Sequence, residues 1–360
     1  MSLQKALLLC SKDAGRFILG TRPIPRPGAG QVLVKNIAVA LNPADFYIQK
    51  LAIFVDEYDF PAVAGCDGAG TIADLGEGVR GWRVGDKILY QSHWNPDTAA
   101  FQEHTLVDAV RIAKIPPNVT CEQACTLPLA LATAAIGMYA DYAQPPGSRS
   151  GGAALTEPWA EGGRGKYAGQ PTLVIGGSSS VGQLAIQLAK LSGFDPIITT
   201  ASKHNFDYCR AAGATHCIDY HATAYEQLPA AVAAITDKPL GFVYNAIALS
   251  KESQDAAWAI LAPNGTLAVT APPLVGKAND VAEDGKRVAW MSASVHVGPH
   301  QDMAKRMYGA LTGMIERGDI QPNNVELVHG GLAGIPDALS CLEEGKISGV
   351  KLVARIADTP

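Results

Sequence analysis

What this 360-residue sequence lacks narrows it first. It has no apolar run of membrane-spanning length: the longest, Leu127 to Ala140, contains Pro128 and is too short. The opening MSLQKALLLCSKDAG carries an apolar run of only five residues before Lys12 and Asp13, too short for a signal-peptide core. A cytoplasmic location with no membrane partner is therefore expected. There is no excess of positive charge; at −5, nothing electrostatic attracts nucleic acid or an anionic surface. Seven cysteines, an odd number, are scattered, and Cys121 and Cys125 have no second pair near them. That excludes a disulfide framework and a zinc ribbon. With 48% apolar and 18% charged residues, the chain is an ordinary globular one, long enough for two domains.

What is present centres on residues 172–205, TLVIGGSSSVGQLAIQLAKLSGFDPIITTASKHN. Leu173-Val174-Ile175 reads as a strand buried on both faces. Gly176 and Gly177 permit a sharp turn. Val181, Leu184, Ala185, Leu188 and Ala189 then recur at helical spacing up to Gly193, where the helix is expected to stop. Pro196 to Thr200 is the second strand. Such a turn aims backbone N–H groups at the positive end of a helix dipole, which makes an anion site suited to a dinucleotide pyrophosphate. The fingerprint is degenerate. Gly177, Ser179 and Gly182 occupy G-x-G-x-x-G with serine in the middle.

The end of the second strand selects the nucleotide. An NAD site usually has a carboxylate there to accept from the ribose 2′-OH. This chain has Thr200, Ala201, Ser202, Lys203, His204 and Asn205 instead. Hydroxyl, ammonium and amide donors suit a 2′-phosphate, so NADPH is the expected cofactor. The plainer alternative makes Ser202 a helix cap.

Along the chain, residues 1–125 break into short β-like runs between prolines and glycines: Ala6 to Leu9, Val32 to Leu41, Gly70 to Asp74 and Lys87 to Tyr90. This predicts a mostly antiparallel, barrel-like domain. Cys121 to Met138 reads as helical. Pro145 to Pro171, rich in small residues, is expected to be a mobile flap or disordered. Strands are then predicted at Thr215–Asp219, Phe242–Tyr244, Thr266–Thr270 and Arg287–Ser292. Helices are predicted at Phe206–Ala212, at Ala224–Ile235 and from Ser250 to Leu261, the last ended by Gly265. Strands separated by helices imply a doubly wound parallel sheet. The tail has a helix at Asp302–Arg317, a strand at Val325–Val328, a helix at Ile335–Glu344 and a strand at Val350–Ile356. It is expected to rejoin the first domain, since alone it could not bury a core.

These residues resemble the medium-chain dehydrogenase/reductase superfamily over nearly the whole chain. Asn42-Pro43-Ala44-Asp45 looks like the N-P-S-D motif of its quinone and enoyl reductase branches. Gly65-Cys66-Asp67-Gly68-Ala69-Gly70 up to Gly76 resembles its G-x-D-x-x-G-x5-G segment, and Val84-Gly85-Asp86-Lys87 its V-G-D-R/K turn. Gly349 to Ile356 resembles its terminal G-K-hydrophobic strand. Ser202-x-His204-Asn205-Phe206-Asp207 and Asp219-Tyr220 are most similar to fungal ToxD-like, trans-acting enoyl reductases of polyketide biosynthesis. The resemblance implies an α/β chain: a GroES-like, mostly-β domain from both ends (1–125 and 299–360) around a Rossmann doubly wound parallel-sheet domain (126–298).

Zinc is not expected. A catalytic zinc needs three converging Cys, His or carboxylate ligands. Here Leu41-Asn42-Pro43 and Gly65-Cys66-Asp67 stand where zinc-dependent relatives carry Cys and G-H-E, and Ser92 to Gln102 lacks a structural cysteine lobe. Cys66 reads as a buried small residue. Without a metal, the expected reaction is hydride transfer to an activated C=C, with donors needed where charge develops on the carbonyl oxygen.

By resemblance, Asn42, Pro43, Ala44 and Asp45 lie at the nicotinamide, with Thr133 packed against it. Thr133 could equally be a helix threonine bonded to its own backbone. Tyr47 is the candidate acid or oxygen donor, with ordinary packing the alternative. Thr133 and Asp45 complete the catalytic set. Gly177, Ser178, Ser179, Ser180 and Val181 would hold pyrophosphate; Ser202, Lys203, His204 and Asn205 the 2′-phosphate. Tyr220 would lie along the adenine ribose, Ala271 and Pro272 along the nicotinamide, and Val353 would close the cleft. Leu131, Trp290, Ser292, Ser294 and His296 would shape the substrate end; His296 and His93 are candidate acids, but a lone histidine is more often a structural one. A small or carrier-bound unsaturated acyl substrate is expected, with a polyketide synthase as partner. A quinone or enone reductase and a non-catalytic cofactor-binding synthase subunit are the alternatives. A serine hydrolase is disfavoured because Ser178 to Ser180 lack the G-x-S-x-G elbow.

Overall fold

The computed structural model describes residues 2–13, 15–142 and 149–360. They form two compact units: Met1–Leu129 with Tyr308–Glu316 and Pro322–Pro360, and Ala130–Met307 with Arg317–Gln321. In chain order the first unit opens with β1 (Leu3–Leu8), β2 (Ile18–Pro23), β3 (Gln31–Ala40), α1 (Pro43–Leu51), β4 (Asp67–Leu75), β5 (Lys87–Gln91), β6 (His104–Asp108), β7 (Ile112–Lys114) and α2 (Cys121–Ala124). After α3 (Pro128–Tyr139) come β8 (Thr172–Ile175), α4 (Ser180–Ser192), β9 (Ile197–Ala201), α5 (Phe206–Ala212), β10 (His216–Asp219), α6 (Leu228–Ala233), β11 (Leu240–Asn245), α7 (Lys251–Ile260), β12 (Leu261–Val269) and β13 (Arg287–Trp290). The chain closes with α8 (Gln301–Glu316), β14 (Val325–Val328), α9 (Ile335–Glu343) and β15 (Lys351–Arg355).

The first unit is built on a sheet ordered β14-β15-β3-β4-β5-β7, with β6 also paired to β3. Its pairs are antiparallel except β14 with β15. The tail strand β15 lies directly on β3, Val353 opposite Ala40. The second unit holds a parallel sheet ordered β10-β9-β8-β11-β12-β13. Counted within this sheet, the order is 3-2-1-4-5-6, the doubly wound pattern. Leu173, Ile175, Ile198, Val243, Leu267 and Val269 fill its core. Because every strand points the same way, the turns after their C-terminal ends fall along one edge. That edge collects residues far apart in sequence.

Several elements differ from expectation. Gly265 does not end a helix: α7 stops at Ile260 and β12 begins at once with Leu261, whose ψ of 130° is extended. Pro263 explains this, since it cannot donate to a helix and forces the preceding residue extended. The helix expected over 224–235 shortens to a 3-10 turn at Tyr225–Gln227 and the α6 segment. The sequence reading missed α1, although Asn42 at the N-cap, Pro43 in the first turn and Asp45 after it are helix-start signals.

The glycine-rich stretch before β8 is neither flap nor disordered from residue 149 onward; residues 143–148 lie outside the described residues. Ser150 bridges to Met291, and Tyr167 stacks on Phe194 with centroids 5.0 Å apart. Glu157 is buried and takes Arg306 Nε at 3.0 Å. Low periodicity here reflects packing by turns rather than absence of packing.

Candidate active site

The edge of the parallel sheet begins at the glycine bend after β8. Gly176 has φ +81°, the left-handed region. Its N–H donates to Thr200 Oγ1 at 3.0 Å, and that of Gly177 to Thr200 O at 2.9 Å. A Cβ on Gly177 would sit 2.0 Å from Thr199 Oγ1, and one on Gly182 2.1 Å from Gly176 O. Only glycine fits either place. Ser179, in the middle-glycine position, is the N-cap of α4: its Oγ accepts from Gly182 N–H at 3.0 Å. The serine therefore caps the helix as an acceptor, which leaves its O–H to donate. The N–H groups of Ser180 and Val181, first in the helix, have no intrahelical acceptor and point outward at the positive end of a 13-residue dipole. Ser178, Ser180 and Val181 are half-buried, within reach of an incoming anion.

The next two turns of the edge meet each other. Ser202 stands at the N-cap of a 3-10 turn but its hydroxyl does not cap it. Instead Ser202 Oγ donates to Tyr220 Oη at 3.0 Å and lies 3.2 Å from His221 Nε2. The capping alternative thus gives way to a hydroxyl–phenol–imidazole cluster joining the ends of β9 and β10. Lys203 and His204 are exposed beside it; Asn205 is buried. The carboxylate in the corner, Asp219, is tied back to His221 N–H at 3.0 Å. Farther along, Ala271 is buried and Pro272 exposed after β12. Gln254, unremarked in the sequence, holds this turn by accepting from Leu274 N–H at 2.7 Å. Asn245, also missed, accepts from Ile247 N–H and donates to Ser253 Oγ, both at 2.9 Å.

Of the residues expected at the substrate end, Trp290 and Ser292 are half-buried beside Arg149, whose guanidinium lies 4.9 Å from the Trp290 ring centre. Ser294 is buried and its Oγ accepts from His296 N–H at 3.2 Å. Leu131 is a correction. It is 0% exposed within α3 and lines no surface, because this helix is apolar all round. Thr133, in the same helix, is buried, and its carbonyl accepts from Tyr244 Oη at 2.9 Å.

In the first unit, Asn42, Pro43, Ala44, Asp45 and Tyr47 start α1, and beneath them lies a buried polar network. Lys351 Nζ donates to Asp67 Oδ2 at 2.7 Å and to Asn42 Oδ1 at 2.9 Å. Asn42 Nδ2 donates to the same Asp67 oxygen at 2.9 Å, and Leu129 N–H to its other at 2.6 Å. Neither Lys351 nor Asp67 was singled out from the sequence, although both lie in motifs matched there. Asp45 is fully buried, accepting from Asn42 N–H at 2.8 Å and Gly65 N–H at 3.2 Å. Its carboxyl thus positions Asn42 and the start of α1, which corrects its assignment as a catalytic and cofactor-touching group. Val353 is likewise corrected: it is wholly buried in the sheet between β3 and β14. Tyr47 is half-buried, its ring 4.3 Å from that of Phe46. Cys66 is buried, with Trp94 Nε1–H on its sulfur at 2.7 Å. Among the described residues, no three His, Cys, Asp or Glu side chains gather as a metal would need.

Burial pushes the Asp45 carboxyl up to about 7, aided by the Asp67 charge and opposed by Lys351 and its two N–H donors. The folded pKa exceeds the unfolded one, so between about pH 4 and 7 the native state holds one more proton. Stability should therefore fall as pH rises through that window, by at most about 1.4 kcal/mol per pH unit. Asp45→Asn is expected to remove this part of the slope. Denaturant titrations from pH 4.5 to 8 would show it, and an unchanged slope would contradict the assignment.

Residues 28–149 match the alcohol dehydrogenase GroES-like domain, and 180–295 the zinc-binding dehydrogenase family. The trans-enoyl reductase grgB of a Penicillium species is 30% identical over 372 residues, covering 97% of each chain. A zinc-type alcohol dehydrogenase-like protein of Schizosaccharomyces pombe is 30% identical over 367 residues, covering 95% of this chain and 97% of its own. Among solved structures, an alcohol dehydrogenase superfamily protein of Novosphingobium aromaticivorans superposes with TM-score 0.76 at 23% identity, covering 97% of this chain and 99% of its own. A mycobacterial protein complexed with NADPH does so at 0.72 and 22%, covering 98% and 99%. The chain belongs to the medium-chain dehydrogenase/reductase superfamily and is an oxidoreductase akin to fungal trans-enoyl reductases. No helix of the described residues is long and apolar enough to cross a membrane.

Proposed function

We propose that this protein is an NADPH-dependent, zinc-independent reductase of the C=C bond of an α,β-unsaturated thioester or ketone. The observation that carries the cofactor choice is the corner after β9 and β10. There Tyr220 and Lys203 present phenol and ammonium, Ser202 donates to the phenol from behind, and Asp219 is turned back on its own loop. A free ribose 2′-OH would want a carboxylate at the end of β9, where this chain has Ser202, Lys203, His204 and Asn205 instead. The glycine bend fits the other phosphates, since the N–H groups of Ser180 and Val181, without helix acceptors, lie at the start of α4 beside it. NADPH, when bound, supplies the hydride.

The chain's own groups do the rest. Ser178, Ser180 and Val181 hold the diphosphate, and Thr133, Ala271 and Pro272 border the nicotinamide. Tyr47 offers the phenol that hydrogen-bonds or protonates the reacting substrate. Asn42 is held from below by Asp67 and Lys351, so the start of α1 cannot turn away. The metal-free reading rests on the donor set: the Cys66 sulfur already receives Trp94, and Lys351 neutralises Asp67. The substrate we favour is acyl, small or carried by a synthase; the fungal relatives are named trans-enoyl reductases. A cytoplasmic setting belongs to the same reading, and none of the seven cysteines is in a disulfide.

The test is NADPH oxidation by the full chain with a short enoyl thioester, set against a quinone, with zinc content measured on the same sample. Turnover of the thioester without stoichiometric zinc supports the proposal. Cofactor binding with no turnover of any unsaturated acceptor would favour a non-catalytic subunit. Lys203→Ala should weaken NADPH about tenfold or more and leave NADH unchanged, a charge-assisted contact being worth about 1.5–3 kcal/mol. Equal weakening of both would remove Lys203 from the phosphate.

A further inference from the structure

We infer that Cys209 and Cys217 are a redox-active thiol pair whose reversible disulfide weakens the hold of the adjoining corner on the cofactor's 2′-phosphate; the effect on NADPH rests on the cofactor reading above. The two sulfurs come from elements that pack together, Cys209 from α5 and Cys217 from the edge strand β10. Their side chains are hydrogen-bonded to each other, and Cys217 Sγ also lies 3.8 Å from the Phe206 carbonyl oxygen. Phe206 and Cys209 stand at i and i+3 of α5, so they share one face, and Cys217 sits beneath it. Thiols already in contact across a helix and a strand need little backbone movement to be joined, which is the first requirement of a disulfide.

The two thiols are unequal in the way that oxidation uses. Cys209 is buried and Cys217 half-buried, so an oxidant reaches Cys217 first. The S–H of Cys209 donates to the Cys217 sulfur, and this bond, with the nearby Arg210 guanidinium, favours the thiolate at Cys217 against the cost of burial. The Cys217 thiolate attacks one oxygen of a peroxide, expelling hydroxide and becoming a sulfenic acid. The Cys209 sulfur then displaces the second oxygen: the S–S bond forms, the S–O bond breaks, and the Cys209 proton leaves with the departing hydroxide as water. In sum, two thiols and one hydrogen peroxide give one disulfide and two waters. A dithiol reductant reverses the change, so in a reducing compartment the bond is transient.

Both partners adjoin the corner. α5 follows the 3-10 turn Lys203–Asn205 without a break, and β10 runs directly into Tyr220. The Ser202–Tyr220 hydrogen bond at 3.0 Å ties the same two segments at their other end. Closing the disulfide takes the sulfurs from contact to about 2.05 Å. α5 and β10 must shift toward each other, and the turn that carries Lys203 shifts with α5, away from the place it holds beside Tyr220.

The experiment treats the fully reduced chain with hydrogen peroxide, alkylates the remaining thiols and maps the tryptic peptides. Cleavage after Arg210 parts Cys209 from Cys217, so a bond between them appears as two linked peptides. The link should form, and dithiothreitol should remove it. Dissociation constants follow on the same samples. Oxidised wild type should bind NADPH about fivefold or more weakly than reduced wild type, with a smaller loss for NADH and recovery on reduction. Cys209→Ser and Cys217→Ser should show neither link nor loss under the same treatment, which separates the pair from the exposed Cys10 and Cys341. Alkylation of both cysteines after oxidation, or a bond from either to another cysteine, overturns the inference. So does a link that leaves NADPH affinity unchanged or weakens both dinucleotides equally. A reduced wild type that binds NADPH no better than NADH overturns the cofactor reading instead, and the peptide map still decides whether the pair closes.

Discussion

Lys351→Met is expected to lower the free energy of unfolding by about 3–5 kcal/mol, the loss typical of breaking a buried ion pair from one side. Lys351 and Asp67 are 2% and 0% exposed and 2.7 Å apart. Removing the ammonium strands a carboxylate where water cannot reach it. Two neutral donors remain, Asn42 Nδ2 and Leu129 N–H, and they cannot replace a full charge. The loss is therefore one of desolvation rather than of packing, since Met keeps most of the side-chain volume. Lys351→Met with Asp67→Asn removes both charges and should recover most of the stability. Denaturant melts of the two variants decide the matter. If the double substitution is as unstable as the single one, the pair is not the cause.

Gly182→Ala is expected to weaken NADPH and NADH alike, tenfold to a hundredfold, the equivalent of about 1–3 kcal/mol of overpacking. The added Cβ would meet the Gly176 oxygen at 2.1 Å, the Gly176 carbonyl carbon at 2.8 Å and Gly177 Cα at 2.9 Å. All three are backbone atoms of the bend itself, so no side chain can step aside. The clash moves the strand end away from the start of α4, and the N–H groups of Ser180 and Val181 no longer converge. Both dinucleotides carry the diphosphate, so both should suffer, unlike the selective loss expected for Lys203→Ala. Measured side by side, the two variants separate the diphosphate seat from the 2′-phosphate corner. Wild-type affinity for both cofactors in Gly182→Ala would mean that the diphosphate lies elsewhere.

These expectations join stability to function through one feature of each unit. In the first, a buried charge pair holds Asn42 at the head of α1. In the second, the edge of a parallel sheet gathers the ends of its strands. Neither arrangement is local in the chain: Lys351 and Asn42 are 309 residues apart, and Ser202 and His221 are 19.

The sequence by itself determined the alternation of strand and helix from Thr172 to Trp290, because burial on both faces and helical spacing leave distinct patterns in nearest neighbours. It also determined the glycine bend and the absence of a carboxylate at the end of β9, both being matters of residue type at fixed spacing. Only the tertiary structure decided which polar groups point outward. Asp45 looked like a ligand in the sequence but is spent as a brace, Ser179 turned out to cap α4 as well, and Leu131 and Val353 are sealed from any surface. His221, Asp67 and Lys351 acquired their roles from partners brought in by the sheets. A side chain's type is written in the chain, but its solvent exposure and charge environment depend on which distant strand lies beside it, and pairing sets that.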